Sequence, residues 1–244
     1  MGVSYNTSVV TNGLILCLDA GNTKSYPGTG TTWKDLALTQ DATMYGTVPY
    51  TSSGIQCFDF STVTGTQSSN ASLGFTFSAN MIPTTGNYTI SCWVSNLPIS
   101  GGQEVMFGNA NSSDGYRFGI ETSNIYYLIG GAGGVGYQEG TINFLSTLNT
   151  SLWYNVVAIF DRIGILSGTP SVYLYCNGDS QNFVTIPTSQ PAFTNTTPGI
   201  VRCKGGATST NYTGKLSNFS AYNRALSADE IRQNFNAMRG RYGF

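Results

Sequence analysis

Two short groupings in this sequence set an aromatic ring beside hydrogen-bonding side chains: Asp114 with Tyr116 and Arg117, and Tyr137 with Glu139. Sugar recognition needs that mixture. A tyrosine ring can stack on the apolar face of a pyranose while carboxylate and guanidinium groups take its hydroxyls through charge-assisted bonds. These five residues are the candidate carbohydrate-binding set. The competing account is packing, since tyrosines in β proteins cover sheet faces and a chain with 15 of them produces such groupings without a ligand.

Catalytic chemistry is harder to find. The chain has no histidine, which removes His-based nucleophile triads and His metal sites. Glu121 and Glu139 stand alone, Asp229 and Glu230 belong to a helix start, and Asp19 and Asp35 fall in connections. The G-G-A-G-G-V-G run from Gly130 lacks the Lys-Ser/Thr that follows in a phosphate-binding loop, and no helix signal comes after it. It reads as a loop. The five cysteines, Cys17, Cys57, Cys92, Cys176 and Cys203, contain no C-x-x-C pair. Most lie in apolar strand text such as I-S-C-W-V, as small core residues of a chain folded in a reducing cytoplasm do.

Composition narrows the partners. Charged residues make up only 9% of the 244 and the net charge is −1, so electrostatic steering to nucleic acid or to an anionic membrane is not indicated. No segment approaches membrane-spanning length. Residues 1–12 lack the basic start and apolar run of a signal peptide, and Asn6 stands where myristoylation wants Ser or Thr. The surface is polar and mostly neutral, which suits sugars or a neighbouring protein subunit.

The elements that must position any site are short strands. Leu14–Leu18 is the first, followed by a turn-rich stretch from Asp19 to Gly30 and an aromatic return at Trp33–Leu36. Ile55–Phe60 alternates, as does Asn87–Val94, where Tyr88, Ile90, Cys92 and Val94 share one face and Trp93 points the other way. Glu104–Phe107, Tyr116–Glu121 and Ile125–Ile129 form a meander, and Gly130–Gly140 is read as the loop after it, carrying Tyr137 and Glu139. Trp153–Asp161 and Ser171–Cys176 pair, and Asn177-Gly178 turns into a further strand around Asn182–Ile186. After a last strand at Leu216–Tyr222, Ser227 and Glu230 make a capping box, Leu226 staples onto Ile231, and Ile231, Phe235 and Met238 form an apolar stripe. Gly240 is expected to stop this helix. The pattern describes a two-sheet antiparallel sandwich with one short C-terminal helix. Residues 1–12 read as an arm, 13–238 as the domain, and 239–244 as a tail that either contacts a subunit or frays.

The stretch G-K-L-S-N-F-S-A-Y-N-R-A-L-S-A-D-E-I, from Gly214 to Ile231, resembles the last strand and trailing helix of laminin-G-like, concanavalin A-type jelly-roll domains. Gly13–Leu36 and the L-W-Y-N-V-V-A-I-F-D-R and V-Y-L-Y-C-N-G-D runs between Leu152 and Asp179 agree in order. The opening piece, with Q-N-F-N-A-M-R-G-R-Y-G at the end, is most similar to domains in structural proteins of tailed phages, marine and cyanobacterial ones included. The resemblance implies that the first and last strands lie side by side. It implies a structural component of a virion, a fibre head or capsid decoration made in the host cytoplasm, whose partners are other virion proteins, copies of itself or host-surface glycans. A bacterial surface adhesin is the alternative. A polysaccharide hydrolase on this fold would carry two carboxylates in an E-x-D-x-x-E strand, which this chain lacks. Calcium is the one cofactor the resemblance suggests, through Asp59, Asp114 and Asp161, unless those carboxylates serve turn amides instead.

Overall fold

The alternation over Tyr88–Ser95 decides the architecture, because a strand buried on both faces must have a layer above it and another below. In a computed structural model, which describes residues 8–37, 40–61, 74–78, 82–96, 103–108, 115–121, 124–130, 138–143, 149–186 and 209–244, all eight residues of that strand are buried. The strands, in chain order, are β1 (Leu14–Asp19), β2 (Thr32–Trp33), β3 (Ala42–Tyr45), β4 (Tyr50–Thr51), β5 (Cys57–Asp59), β6 (Gly74–Thr76), β7 (Tyr88–Ser95) and β8 (Gln103–Gly108). They continue as β9 (Gly115–Glu121), β10 (Asn124–Gly130), β11 (Gln138–Ile142), β12 (Trp153–Asp161), β13 (Ser171–Cys176), β14 (Asp179–Thr185), β15 (Ser209–Asn211) and β16 (Lys215–Tyr222). One helix follows, α1 (Ala228–Met238).

The larger sheet runs β14-β13-β12-β7-β16-β5-β4, with β1 also against β16, and the facing sheet runs β11-β10-β9-β8-β15. β2, β3 and β6 make a third, three-stranded piece. Pairing is antiparallel except where β15 joins β8 in parallel. Tyr88, Ile90, Cys92 and Val94 enter the core between the sheets together with Phe160, Leu174, Phe219, Phe107 and Phe118. Near β4 and β5 that core is aromatic: Phe58 lies 4.7 Å from Trp33, 4.6 Å from Phe75 and 4.9 Å from Tyr26, ring centre to ring centre.

The first and last strands do meet, Cys17 opposite Ser220 and Leu18 opposite Phe219. The Asn177-Gly178 turn holds both residues at positive φ, 53° and 85°, the conformation a two-residue hairpin requires. β14 follows it antiparallel to β13, with one register shift between Leu174 and Tyr175.

Trp93 points to the opposite face from the core, and α1 is laid over that outer face. The capping box forms as expected, with the Glu230 amide donating to Ser227 Oγ and the Ser227 amide to Glu230 Oε2. Leu226 and Ile231 pack with Val157, Ile159 and Tyr222, while Phe235 packs on Trp93. α1 itself ends at Met238, just before Gly240 as expected, but the coiling does not. Arg239–Tyr242 continues as a 3₁₀ turn that ends on Gly243 at φ 90°, because Tyr242 is drawn down onto Trp93 with ring centres 3.8 Å apart. The tail is seated through Tyr242, which is 5% exposed and whose hydroxyl donates to Ser217 Oγ at 3.0 Å, while Phe244 is 51% exposed. The described end of the arm also docks on its own chain. The Val10 amide donates to Asn234 Oδ1, and the Tyr222 hydroxyl to the Val10 carbonyl.

Arg224 grips Glu230 with two bonds, 2.6 and 2.8 Å. Those bonds, together with the Ser227 amide and against the opposing effect of burial, hold the Glu230 carboxyl at a pKa of about 2. A carboxylate depressed on folding stabilises above its unfolded pKa and loses that contribution as pH falls toward the folded value. The helix anchor should weaken from about pH 4.5 down to about pH 2. Glu230→Gln is accordingly expected to unfold at lower urea than the parent at neutral pH and to converge on it in acid. A gap that stays constant with pH would refute the assignment.

Candidate functional site

Of the five residues singled out for sugar binding, Tyr116 and Arg117 are buried and Glu139 stands in a strand, while the other two fall outside the described residues. Tyr116 and Arg117 lie on β9, where strand alternation sends Tyr116, Phe118 and Ile120 inward. Tyr116 is 1% exposed, with its ring 5.2 Å from Phe107 and 5.8 Å from Tyr88, so neither ring face is open to a pyranose. Arg117, on the other face of the strand, is 3% exposed. Glu139 belongs to strand β11, opposite Leu128, and not to the preceding loop. Asp114 and Tyr137 lie outside the described residues.

Two of the three aspartates considered for calcium, Asp161 and Asp59, serve local structure. Asp161 Oδ1 accepts from Asn87 Nδ2 at 2.7 Å and from the Ile165 amide at 2.9 Å, while Oδ2 accepts from the Leu166 amide at 2.8 Å. Asp59 accepts from the Ser61 amide and hydroxyl and pairs with Lys215 at 3.5 Å. Among the described residues no group of three or more His, Cys, Asp or Glu could hold a metal ion. The described cysteines are free thiols. Burial pushes Cys17 up to about 11 and Cys176 to about 12, and raises Cys57 and Cys92 as well, so the reactive thiolate is suppressed in each.

A cleft of roughly 370 Å³ opens on the outer face where α1 and the C-terminal turn cross β1 and β16. Its sheet side is Leu14, Cys17, Asp19, Asn218, Ser220 and Tyr222, and its helix side is Asn236, Ala237, Met238, Gly240 and Arg241. The charges here are paired: Arg241 Nη1 meets Asp19 Oδ1 at 2.5 Å, and the same oxygen accepts the Gly21 amide. A Cβ on Gly21 would stand 3.0 Å from Arg241 Nη1, so glycine lets the guanidinium come this close. Burial opposes the charge on Arg241, and the Asp19 bond outweighs it and raises its pKa. Asn218 donates to the Leu18 carbonyl at 3.0 Å. The walls thus present amides, hydroxyls and apolar carbon with no uncompensated charge.

Beyond the helix, on the β13–β14 side of the same face, lies an aromatic pair the sequence reading passed over. Tyr173 and Phe183 are direct cross-strand partners, with ring centres 5.6 Å apart at 26°. Phe183 is 58% exposed. The signal was present in V-Y-L-Y-C and N-F-V-T, whose alternation sends Val172, Leu174 and Val184 to the core and the aromatics out. What α1 leaves uncovered was not.

A family model described as "Concanavalin A-like lectin/glucanases superfamily" matches residues 64–232. Among solved structures, the receptor binding domain of botulinum neurotoxin C/D mosaic serotype superposes with a TM-score of 0.65 at 15% identity, over 93% of this chain and 51% of that one. A structure of botulinum neurotoxin type C, whose cell entry is described as dependent upon interaction with two ganglioside molecules, gives 0.65 at 15%, over 93% and 52%. The binding domain of botulinum neurotoxin DC in complex with SialylT gives 0.65 at 13%, again over 93% and 52%. The chain spans about half the length of these structures, and at such identities the likeness is one of fold. No curated protein matches the chain.

Proposed function

We propose that this chain, which belongs to the concanavalin A-like lectin/glucanases superfamily, is a non-enzymatic structural component of a phage particle that binds host-surface glycans. The observation that carries the glycan part is the neutrality of the outer face. Asp19 is paired with Arg241, Glu230 with Arg224 and Asp59 with Lys215, so the cleft and the aromatic pair offer hydroxyls, amides and rings to a ligand that is itself neutral and polyhydroxylated. The binding domains of similar fold, among them those described with gangliosides and with SialylT, support it. The virion part rests on the resemblance of the Gly13–Leu36 and C-terminal stretches to tailed-phage structural domains. Other virion proteins or further copies of the chain would be its neighbours there.

The test joins two measurements: mass spectrometry of purified phage particles, and a glycan array probed with the intact chain. The chain is expected in stoichiometric copies in the particle. Binding to at least one host-surface glycan is expected to change less than about twofold between ~0.05 and ~0.5 M salt, since a neutral ligand carries no charge to be screened, and a calcium chelator should leave it unchanged. Glycan binding without any particle association would move the chain to a bacterial adhesin, and turnover of the bound polysaccharide would overturn the non-enzymatic assignment.

A further inference from the structure

We infer that the outer face of the β13–β14 hairpin is the sugar contact, with Phe183 and Tyr173 forming a ledge on which the apolar face of a neutral pyranose stacks; this rests on the glycan-binding reading above. The ledge is built, not incidental. The Asn177-Gly178 turn starts the hairpin, and a one-residue register shift between Leu174 and Tyr175 then places Tyr173 directly opposite Phe183, and cross-strand neighbours on one face are close enough for their rings to support each other. Tyr173 is held by its hydroxyl bond to Ser167 Oγ at 2.6 Å. Ser167 is in turn delivered by the β12–β13 loop, whose Ile165 and Leu166 amides are tied to buried Asp161. Tyr175 extends the same face one pleat on, toward α1. The result is a fixed aromatic surface with an open outer ring, 58% exposed at Phe183.

Leaving phenylalanine in water on an edge strand runs against the usual protection of edges by charged side chains. β14, D-S-Q-N-F-V-T, carries one charge, Asp179, at the turn end, where it faces Arg232 at 3.9 Å. The ring's neighbours along β14, Asn182, Val184 and Thr185, are uncharged, and the adjoining loop brings Ser167 beside exposed Ile165 and Leu166, also uncharged. A rim of neutral donors and acceptors around an aromatic face complements a neutral sugar, whose ring carbons are apolar and whose periphery is hydroxyl. An added β-strand is a poorer fit, because the Phe183 amide already donates to Asn182 Oδ1 at 2.9 Å and is not offered to an incoming carbonyl.

The test uses the intact chain against the glycan array and against polysaccharide extracted from the host surface. Phe183→Ala is expected to weaken retention of the array hits at least about tenfold, as loss of a stacking contact of ~1.5 kcal/mol implies, with the thermal midpoint little changed because the side chain is exposed. Phe183→Trp is expected to keep binding and to report it directly, its fluorescence shifting to the blue as sugar covers the indole. If the parent binds a glycan and Phe183→Ala binds it equally well, the ledge is wrong while the glycan reading survives. If the parent binds no glycan, both fall. Loss in Phe183→Ala of self-association rather than of sugar retention, seen by sedimentation, would reassign the ledge to contact between copies.

Discussion

Trp93→Ala is expected to cost about 3–5 kcal/mol of folding stability, the range for deleting a buried aromatic, and to release the C-terminal turn as it does so. Trp93 sits on β7, hydrogen-bonded into the sheet between β12 and β16, with its side chain on the outer face and only 1% exposed. Tyr242 stacks on it at 3.8 Å and 6°, and Phe235 at 5.7 Å and 15°. One indole therefore holds both the last turns of α1 and the residues after it. Without it, the Tyr242 ring loses the surface that makes the 3₁₀ turn worth forming, and Arg241 loses the anchor that keeps it over Asp19. Urea unfolding measures the cost. Trypsin measures the release, since cleavage at Arg239 and Arg241 should become faster than in the parent. A loss below about 1 kcal/mol, with cleavage unchanged, would mean that the tail and helix are held elsewhere.

That stack also shows where the sequence was legible and where it was not. Patterns with a period were readable: the alternation through Tyr88–Ser95 put Trp93 on the correct face, and the Ser227–Glu230 box gave the helix start. Asn177-Gly178 gave the hairpin because few residue pairs tolerate two positive φ angles. These signals are local, and the physics that produces them acts over a few residues. The turn after the helix end was missed for the opposite reason. Gly240 is a good local stop, but Tyr242 gains more by reaching Trp93, nearly 150 positions earlier in the chain. The same limit governed the candidate site. Tyr116 beside Arg117 was singled out by residue type, while the Y-x-F-x-I alternation of the strand that Tyr116 opens turns its ring inward and was the stronger signal. Phe183 went unnoticed because nothing near it in sequence tells whether α1 covers its face of the sheet. Exposure on a sheet's outer face is set by what lies across it, and that is a tertiary fact.

The second large effect is expected at Asp161, which connects the buried fold to the ledge. Its carboxylate is fully buried and accepts three N–H donors, from Asn87 Nδ2 and from the Ile165 and Leu166 amides. Asp161→Asn keeps the shape but replaces one acceptor oxygen with an NH₂ group, so a donor must face a donor at a fully buried position. Bonds to a charged acceptor contribute about 1.5–3 kcal/mol each, and a buried donor left alone costs a further ~1–3, so a loss on the order of 3 kcal/mol is expected in urea. Hydrogen exchange locates it, because the Ile165 and Leu166 amides should lose protection well before those of β7 and β12. The functional consequence follows along the chain. With the loop no longer tied down, Ser167 is not held at the Tyr173 hydroxyl, the ring is freer to turn, and ordering it again must be drawn from the binding energy. Asp161→Asn is thus expected to weaken glycan retention under conditions where the variant is still folded, although Asp161 touches no ligand. Unchanged exchange at Ile165 and Leu166 would show that the loop is held without this carboxylate, and full glycan retention in a destabilised variant would separate the loop from the ledge.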